Sequence, residues 1–149
     1  MSFFSGEYEC KIDAKGRMVL PARVKAKLPD VLTNELVIKR GFEPCLVIYP
    51  MLEWKKVFNK VAGLNEFSKE YRQFQRNFLR GAMDVELDAS SRILFPKIMT
   101  KFASIEKEVI LVGMGNRLEL WNPDQYEEYL INDENEFSAL AEKYLGDTE

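Results

Sequence analysis

Two short stretches hold the residue types best suited to chemistry: DAKGRMVLPARV, from Asp13 to Val24, and DASSRILFPKIM, from Asp88 to Met99. Each sets an aspartate four residues ahead of an arginine, with Pro21 and Pro96 following at matching distances. Across a turn, an aspartate accepts hydrogen bonds from nearby amides and pairs with the arginine. Gly16 takes positive φ there at no steric cost. Asp13, Gly16 and Asp88 therefore read as loop-structuring residues. The flank asks for more than a turn. From Lys11 to Lys27, six basic residues (Lys11, Lys15, Arg17, Arg23, Lys25, Lys27) face the single acid Asp13, a local charge of +5. Such groups repel one another unless an anion is near. By itself the run fits either a nucleic-acid surface or a solvated basic face. At the other end, from Asp124 to Glu149, nine acids stand against Lys143, a local charge of −8. The two ends face different partners, or each other.

Composition narrows the chemistry further. The chain has 149 residues, 46% hydrophobic and 30% charged, with a net charge of −3. That is ordinary globular composition, enough for one domain or two intertwined small ones. With no histidine and two cysteines, zinc ligand sets and the Ser-His and Cys-His nucleophile arrangements are out of reach. A carboxylate-held magnesium or calcium stays open. Cys10 and Cys45 lie in apolar surroundings and read as small buried hydrophobes. No apolar run reaches the ~20 residues of a membrane span, and MSFFSGEYE lacks the pattern of a signal peptide. The expectation is a non-enzymatic protein that stays inside the cell.

The elements that must position the two loops are themselves repeated. Asp13 falls on Asp88, Arg17 on Arg92 and Pro21 on Pro96 at a common offset of 75. Upstream, Tyr8, Cys10 and Ile12 alternate with charged neighbours, as do Met83, Val85 and Leu87, which predicts half-buried strands. Downstream, ELVIKRGFEPCLVIYP answers EVILVGMGNRLELWNP, each reading as two strands around a glycine-containing turn. Trp54, Val57, Phe58 and Val61 keep helical spacing. So do Tyr126, Tyr129 and Leu130 behind an Asn122 cap with Pro123 at the first helical position. Phe67, Tyr71, Phe74 and Phe78, with Ser68 as cap, predict another helix, and Phe137, Leu140, Ala141, Tyr144 and Leu145 a last one. The organisation expected is a first repeat over 1–65, a connecting helix over 66–80 and a second repeat with C-terminal helices over 81–149. A unit this small buries its apolar face poorly alone, so the two halves form an intramolecular pseudo-dimer of α+β class.

The paired Asp-x-x-x-Arg elements, the prolines after them, GNRLELW from Gly115 to Trp121 and FLRGA before the second copy resemble the MraZ family of bacterial transcriptional regulators, built from two tandem SpoVT-AbrB-type segments. The resemblance spans nearly the whole chain. It implies a swapped-hairpin, AbrB-like β-barrel core with flanking amphipathic helices, and assembly into a homo-oligomeric ring. It also implies sequence-specific binding of double-stranded DNA at short repeats upstream of the division and cell-wall gene cluster. No cofactor, metal or membrane enters, and the location implied is cytoplasmic and nucleoid-associated. Lys15, Arg17 and Arg92 match the family's functional motif, although DASSR has Ser91 where members often carry glycine. Arginine forks onto guanine or phosphate, whereas lysine acts as a mobile charge. Arg17 is therefore assigned to base readout, and Lys15, Arg23, Lys25 and Lys27 to phosphates. Arg72, Arg76 and Arg80 form a rival basic stripe, which reads either as a simply solvated face or as a partner for the acidic segment of a neighbouring subunit. The alternative function is an oligomeric protein-interaction scaffold with no direct DNA readout.

Overall fold

The structure is a computed structural model describing residues 3–29 and 34–146; Asp147 and Glu149 of the acidic segment lie outside the described residues. Among the described residues, each half contributes four strands. The first half supplies β1 (Glu7–Lys11), β2 (Arg17–Val19), β3 (Glu35–Arg40) and β4 (Leu46–Pro50), and the second supplies β5 (Met83–Glu86), β6 (Arg92–Leu94), β7 (Glu108–Gly113) and β8 (Leu118–Trp121). The strands are exchanged between halves. A six-stranded antiparallel sheet runs β1-β7-β8-β4-β3-β5, so β1 pairs with the second half's β7 and β5 with the first half's β3. At its centre β4 and β8 pair through Val47 opposite Glu119, and a two-stranded ribbon of β2 and β6 pairs Met18 with Ile93.

Alternation along these strands explains the two cores. Leu36, Ile38, Leu46, Ile48, Leu111, Leu118 and Leu120 point to one face of the sheet, where the ribbon covers them with Met18 and Ile93. Val37, Val47, Tyr49, Val112 and Trp121 point to the other, beneath Trp54 and Tyr126. With both faces covered, β4 is buried at every residue, so LVIYP reads as an unbroken apolar run. The edge strand β1 carries Glu7, Glu9 and Lys11, charges that discourage pairing with another chain.

The duplicated α+β fold with swapped strands is as expected, but the strands do not close into a barrel. The strand order sets β1 and β5 at opposite edges of the sheet, and each turns directly into the ribbon instead of meeting the other. An isolated bridge between Ile12 and Met18 marks that passage.

Among the described residues, six helices complete the chain: α1 (Ala22–Lys25), α2 (Met51–Ala62), α3 (Lys69–Leu79), α4 (Lys97–Phe102), α5 (Pro123–Glu128) and α6 (Glu134–Leu145). The caps are those the sequence announces, since Ser68 accepts from the Tyr71 amide and Asn122 from the Asp124 and Gln125 amides. Two details differ. The helical spacing through Tyr129 and Leu130 runs past the end of α5, and Arg80 is the cap residue following α3. The short helices α1 and α4, one after each loop, have no long apolar stripe and are not legible in the sequence; each buries one residue, Val24 or Met99.

Candidate nucleic-acid interface

The two Asp-x-x-x-Arg loops fold into nearly the same hydrogen-bonded object. Asp13 Oδ1 accepts from the Lys15 and Arg17 amides at 2.9 Å each, and its Oδ2 accepts from Arg17 Nε at 3.0 Å. Asp88 Oδ1 accepts from the Ser90 and Arg92 amides at 2.9 Å each, and its Oδ2 from Arg92 Nε at 2.8 Å. The Arg17 amide bond holds the Asp13 carboxyl below the ordinary 3.8, helped by the guanidinium, and Arg92 does the same for Asp88. The arginines are thereby oriented without being consumed. Among the described residues, the terminal nitrogens of Arg17 and Arg92 have no protein partner.

Each loop turns through a left-handed residue, Gly16 at φ 85° and Ser91 at φ 60°. A Cβ at Gly16 would also stand 2.8 Å from the Phe95 carbonyl oxygen. The halves lock each other here, because Leu20 N donates to the Ser91 carbonyl and Phe95 N to the Gly16 carbonyl.

The ribbon brings the two loops together. Arg17 lies opposite Leu94 and Val19 opposite Arg92. Met18 and Ile93 are fully buried on the inner side, leaving Arg17, Val19, Arg92 and Leu94 on the outer side. Val19 and Leu94 are 58% and 54% exposed, large for aliphatic residues in a strand. One chain therefore presents a small outward patch of two oriented arginines and two aliphatic side chains, related by a pseudo-twofold axis. Val19 and Leu94 carry no charge to mark them in the sequence; their repeat at the same offset, on the strand face opposite buried Met18, is the signal that points to them.

The flanking cations divide. Lys15 is exposed at the first loop. Lys25 Nζ donates to Ser91 Oγ, so this first-half lysine sits at the second loop. Arg23 and Lys27 line a separate cleft with Phe3, Phe4 and Tyr8, beside β1. At the repeat positions of Arg23 and Lys25 the second half has Ile98 and Thr100, and its lysines Lys97 and Lys101 fall where the first half has Ala22 and Ala26, so the loops match while the flanking cations are placed differently.

Among the described residues no group of three histidine, cysteine or carboxylate side chains could hold a metal, and no helix is long and apolar enough to cross a membrane. Cys45 is buried and Cys10 half-buried, both unpaired; burial raises both thiols, Cys45 to about 12.

The chain matches the family described as "MraZ protein, putative antitoxin-like" in two tandem segments, residues 3–77 and 78–147. It belongs to the MraZ family. It is 58% identical to the transcriptional regulator MraZ of Cytophaga hutchinsonii, over 99% of this chain and 98% of that one. The same-named proteins of Christiangramia forsetii and Flavobacterium psychrophilum are 42% and 39% identical, over 95% and 98% of this chain and 92% and 94% of theirs. MraZ proteins are thus a family of transcriptional regulators and not of enzymes.

Proposed function

We propose that this MraZ-family chain regulates transcription by binding double-stranded DNA with its β2–β6 ribbon, reading short promoter repeats, and that it does so as a homo-oligomeric ring. The observation that carries the reading is the outward patch of Arg17, Val19, Arg92 and Leu94 between two aspartate-locked loops. A two-stranded ribbon fits the major groove, where the free ends of an arginine fork onto guanine O6 and N7 and an aliphatic side chain packs on a thymine methyl. Lys15 and Lys25 meet the flanking phosphates, and Arg23 and Lys27, in the cleft beside β1, add phosphate contacts away from the ribbon. The role carries a cytoplasmic, nucleoid-associated location with it, and a gene position at the division and cell-wall cluster is the target class the family resemblance suggests.

Self-association supplies what one chain lacks. A single basic segment on a chain of net charge −3 gives few phosphate contacts and weak binding at physiological salt. Basic α3 exposes Tyr71 and Phe74 beside Arg72 and Arg76, while acidic α6 exposes Phe137 and Tyr144 beside Glu134, Glu136 and Glu142. Opposite charges beside apolar stripes suit a contact between neighbouring copies, which repeats the ribbon along the DNA and makes each further engagement intramolecular.

The test is a binding titration on one, two and three promoter repeats, and on two repeats with an added half turn of ~5 bp between them. Affinity should climb with repeat number and fall back with the insertion. In parallel, Arg17→Ala and Arg92→Ala should each lose about 1–3 kcal/mol of discrimination per site. Salt-insensitive binding with no sequence preference, alongside retained self-association, would replace this reading with the scaffold.

A further inference from the structure

The first half holds a second concentration of cations, away from the ribbon and unused by it. At the end of β3, Lys39 is 4% exposed. Its Nζ donates to the Arg40 carbonyl at 2.6 Å and lies 4.3 Å from the Phe78 ring centre and 5.4 Å from that of Phe42. The Arg40 guanidinium carbon lies 4.8 Å over the Phe102 ring, and its buried Nε has no hydrogen-bond partner. With Phe74, Asn77 and Arg80 these residues line a cavity of about 270 Å³. Among the described residues, none of Lys39, Arg40 and Arg80 is paired with a carboxylate.

The duplication shows that the fold does not require this arrangement. Lys39 and Arg40 occupy the repeat positions of Val112 and Gly113. In the second half a Cβ at Gly113 would meet Ser5 N at 2.4 Å, so the missing side chain is what admits the segment from Phe4 to Gly6. That segment seals the site by backbone bonds, Phe4 N to the Gly115 carbonyl at 2.7 Å and Gly113 N to the Gly6 carbonyl at 2.8 Å. In the first half the Arg40 side chain occupies that space, and among the described residues no backbone bond joins 79–81 to 40–42. At the twin positions of Phe78, Arg80 and Phe102 a cleft is lined by Phe3, Ser5 and Lys27, so what is particular to the first half is the buried pair Lys39 and Arg40 at its cavity. A buried lysine offset only by a neighbouring carbonyl and two ring faces, and a buried guanidinium nitrogen with no acceptor, are both better satisfied when an anion joins them.

We propose that this cavity binds a small anion carried on an aromatic ring, an aryl phosphate or aryl carboxylate. The anion meets Lys39, the Arg40 guanidinium and Arg80, and the ring packs among Phe42, Phe74 and Phe78. The volume limits the guest to about one ring with its anionic group, at the low end of ligand pockets. The inference stands apart from DNA binding, since no residue of the ribbon takes part.

The experiment is calorimetric titration of the full chain with phenyl phosphate, benzoate, inorganic phosphate and the neutral benzyl alcohol. An aryl anion should bind, inorganic phosphate more weakly and benzyl alcohol not at all; the tighter of the two aryl anions identifies the preferred anionic group. Lys39→Met should weaken that binding about tenfold or more. The same variant should raise the unliganded melting temperature by about 2–4 °C, because a methionine of similar length removes a buried charge that no carboxylate offsets. Arg80→Ala, at an exposed position, should weaken binding while leaving the melting temperature in place. Failure of both aryl anions to bind, or undiminished affinity in both variants, overturns the proposal. So does a Lys39→Met chain that binds no probe and loses its self-association, which would assign the cavity to a carboxylate of a second copy.

Discussion

Ser91 is where the two otherwise matching loops differ in cost. Both turns pass through left-handed backbone, but a serine there pays about 1 kcal/mol that Gly16 does not. Ser91→Gly should therefore raise stability by up to about 1 kcal/mol, measured by urea unfolding, offset in part by loss of the Lys25 contact. The aspartates make a second residue-scale prediction. Asp13 and Asp88 titrate below the ordinary 3.8 in the folded chain, so their contribution is complete above that value and is lost as pH falls through the lowered folded value. Protection of the Arg17 and Arg92 amides, taken relative to intrinsic exchange at each pH, should hold from neutral pH down to 3.8 and be lost as pH falls through the lowered folded value, and Asp13→Asn should abolish that step in the first loop only. A first loop whose protection in Asp13→Asn is still lost across the same range would show that another group holds the turn.

At the scale of elements, the ribbon is what turns two distant loops into one surface. Its grip on the sheet rests on Met18 and Ile93, which pair at its centre and are both 0% exposed. Met18→Ala should cost about 2–5 kcal/mol, by the transfer and cavity terms of a large-to-small core change. Because Leu20 and Phe95 tie each loop to the opposite strand, both loops should loosen together, seen as faster exchange at the Gly16 and Ser91 amides. A variant that loosens only the first loop would mean the ribbon does not couple them. Helix α3 is anchored differently, through the Phe78 ring stacked on Trp54 at 6.4 Å and Gln75 donating to the Val61 carbonyl at 2.8 Å. These contacts hold its C-terminal part to α2, while Tyr71 near its start, and Phe67 just before it, are exposed.

For the whole molecule, the strand exchange makes the halves inseparable. β1, β2, β5 and β6 all take their ladder partners from the other half. A fragment of residues 1–80 should therefore have no folded monomer. It should be unfolded at low concentration and gain sheet only by dimerising, with a midpoint that depends on concentration. Sedimentation combined with circular dichroism checks this, and a folded monomeric fragment would contradict the exchange. Buried contacts across the halves add to it, since the Tyr126 hydroxyl donates to the Glu7 carboxylate and lifts that phenol to about 12, burial being the larger cause and Glu7 the next.

Much of this was legible in the residues themselves. The offset of 75 between Asp13 and Asp88, the alternation through Tyr8 and Met83, and the Asn122-Pro123 cap are local properties, and local chemistry specifies strands, turns and helix starts. The Asp–Arg pairing within each loop was equally readable, because four residues across a turn bring those groups together whatever surrounds them. What the tertiary structure alone decided is which strand pairs with which. That choice put Val19 beside Arg92, carried Lys25 to the second loop, kept the sheet open, and left Lys39 and Arg40 at a cavity where the other half has Gly113 under the Phe4–Gly6 segment. Pairing is set by the burial of two whole faces at once, a sum over residues far apart in the chain, so no window of the sequence contains it.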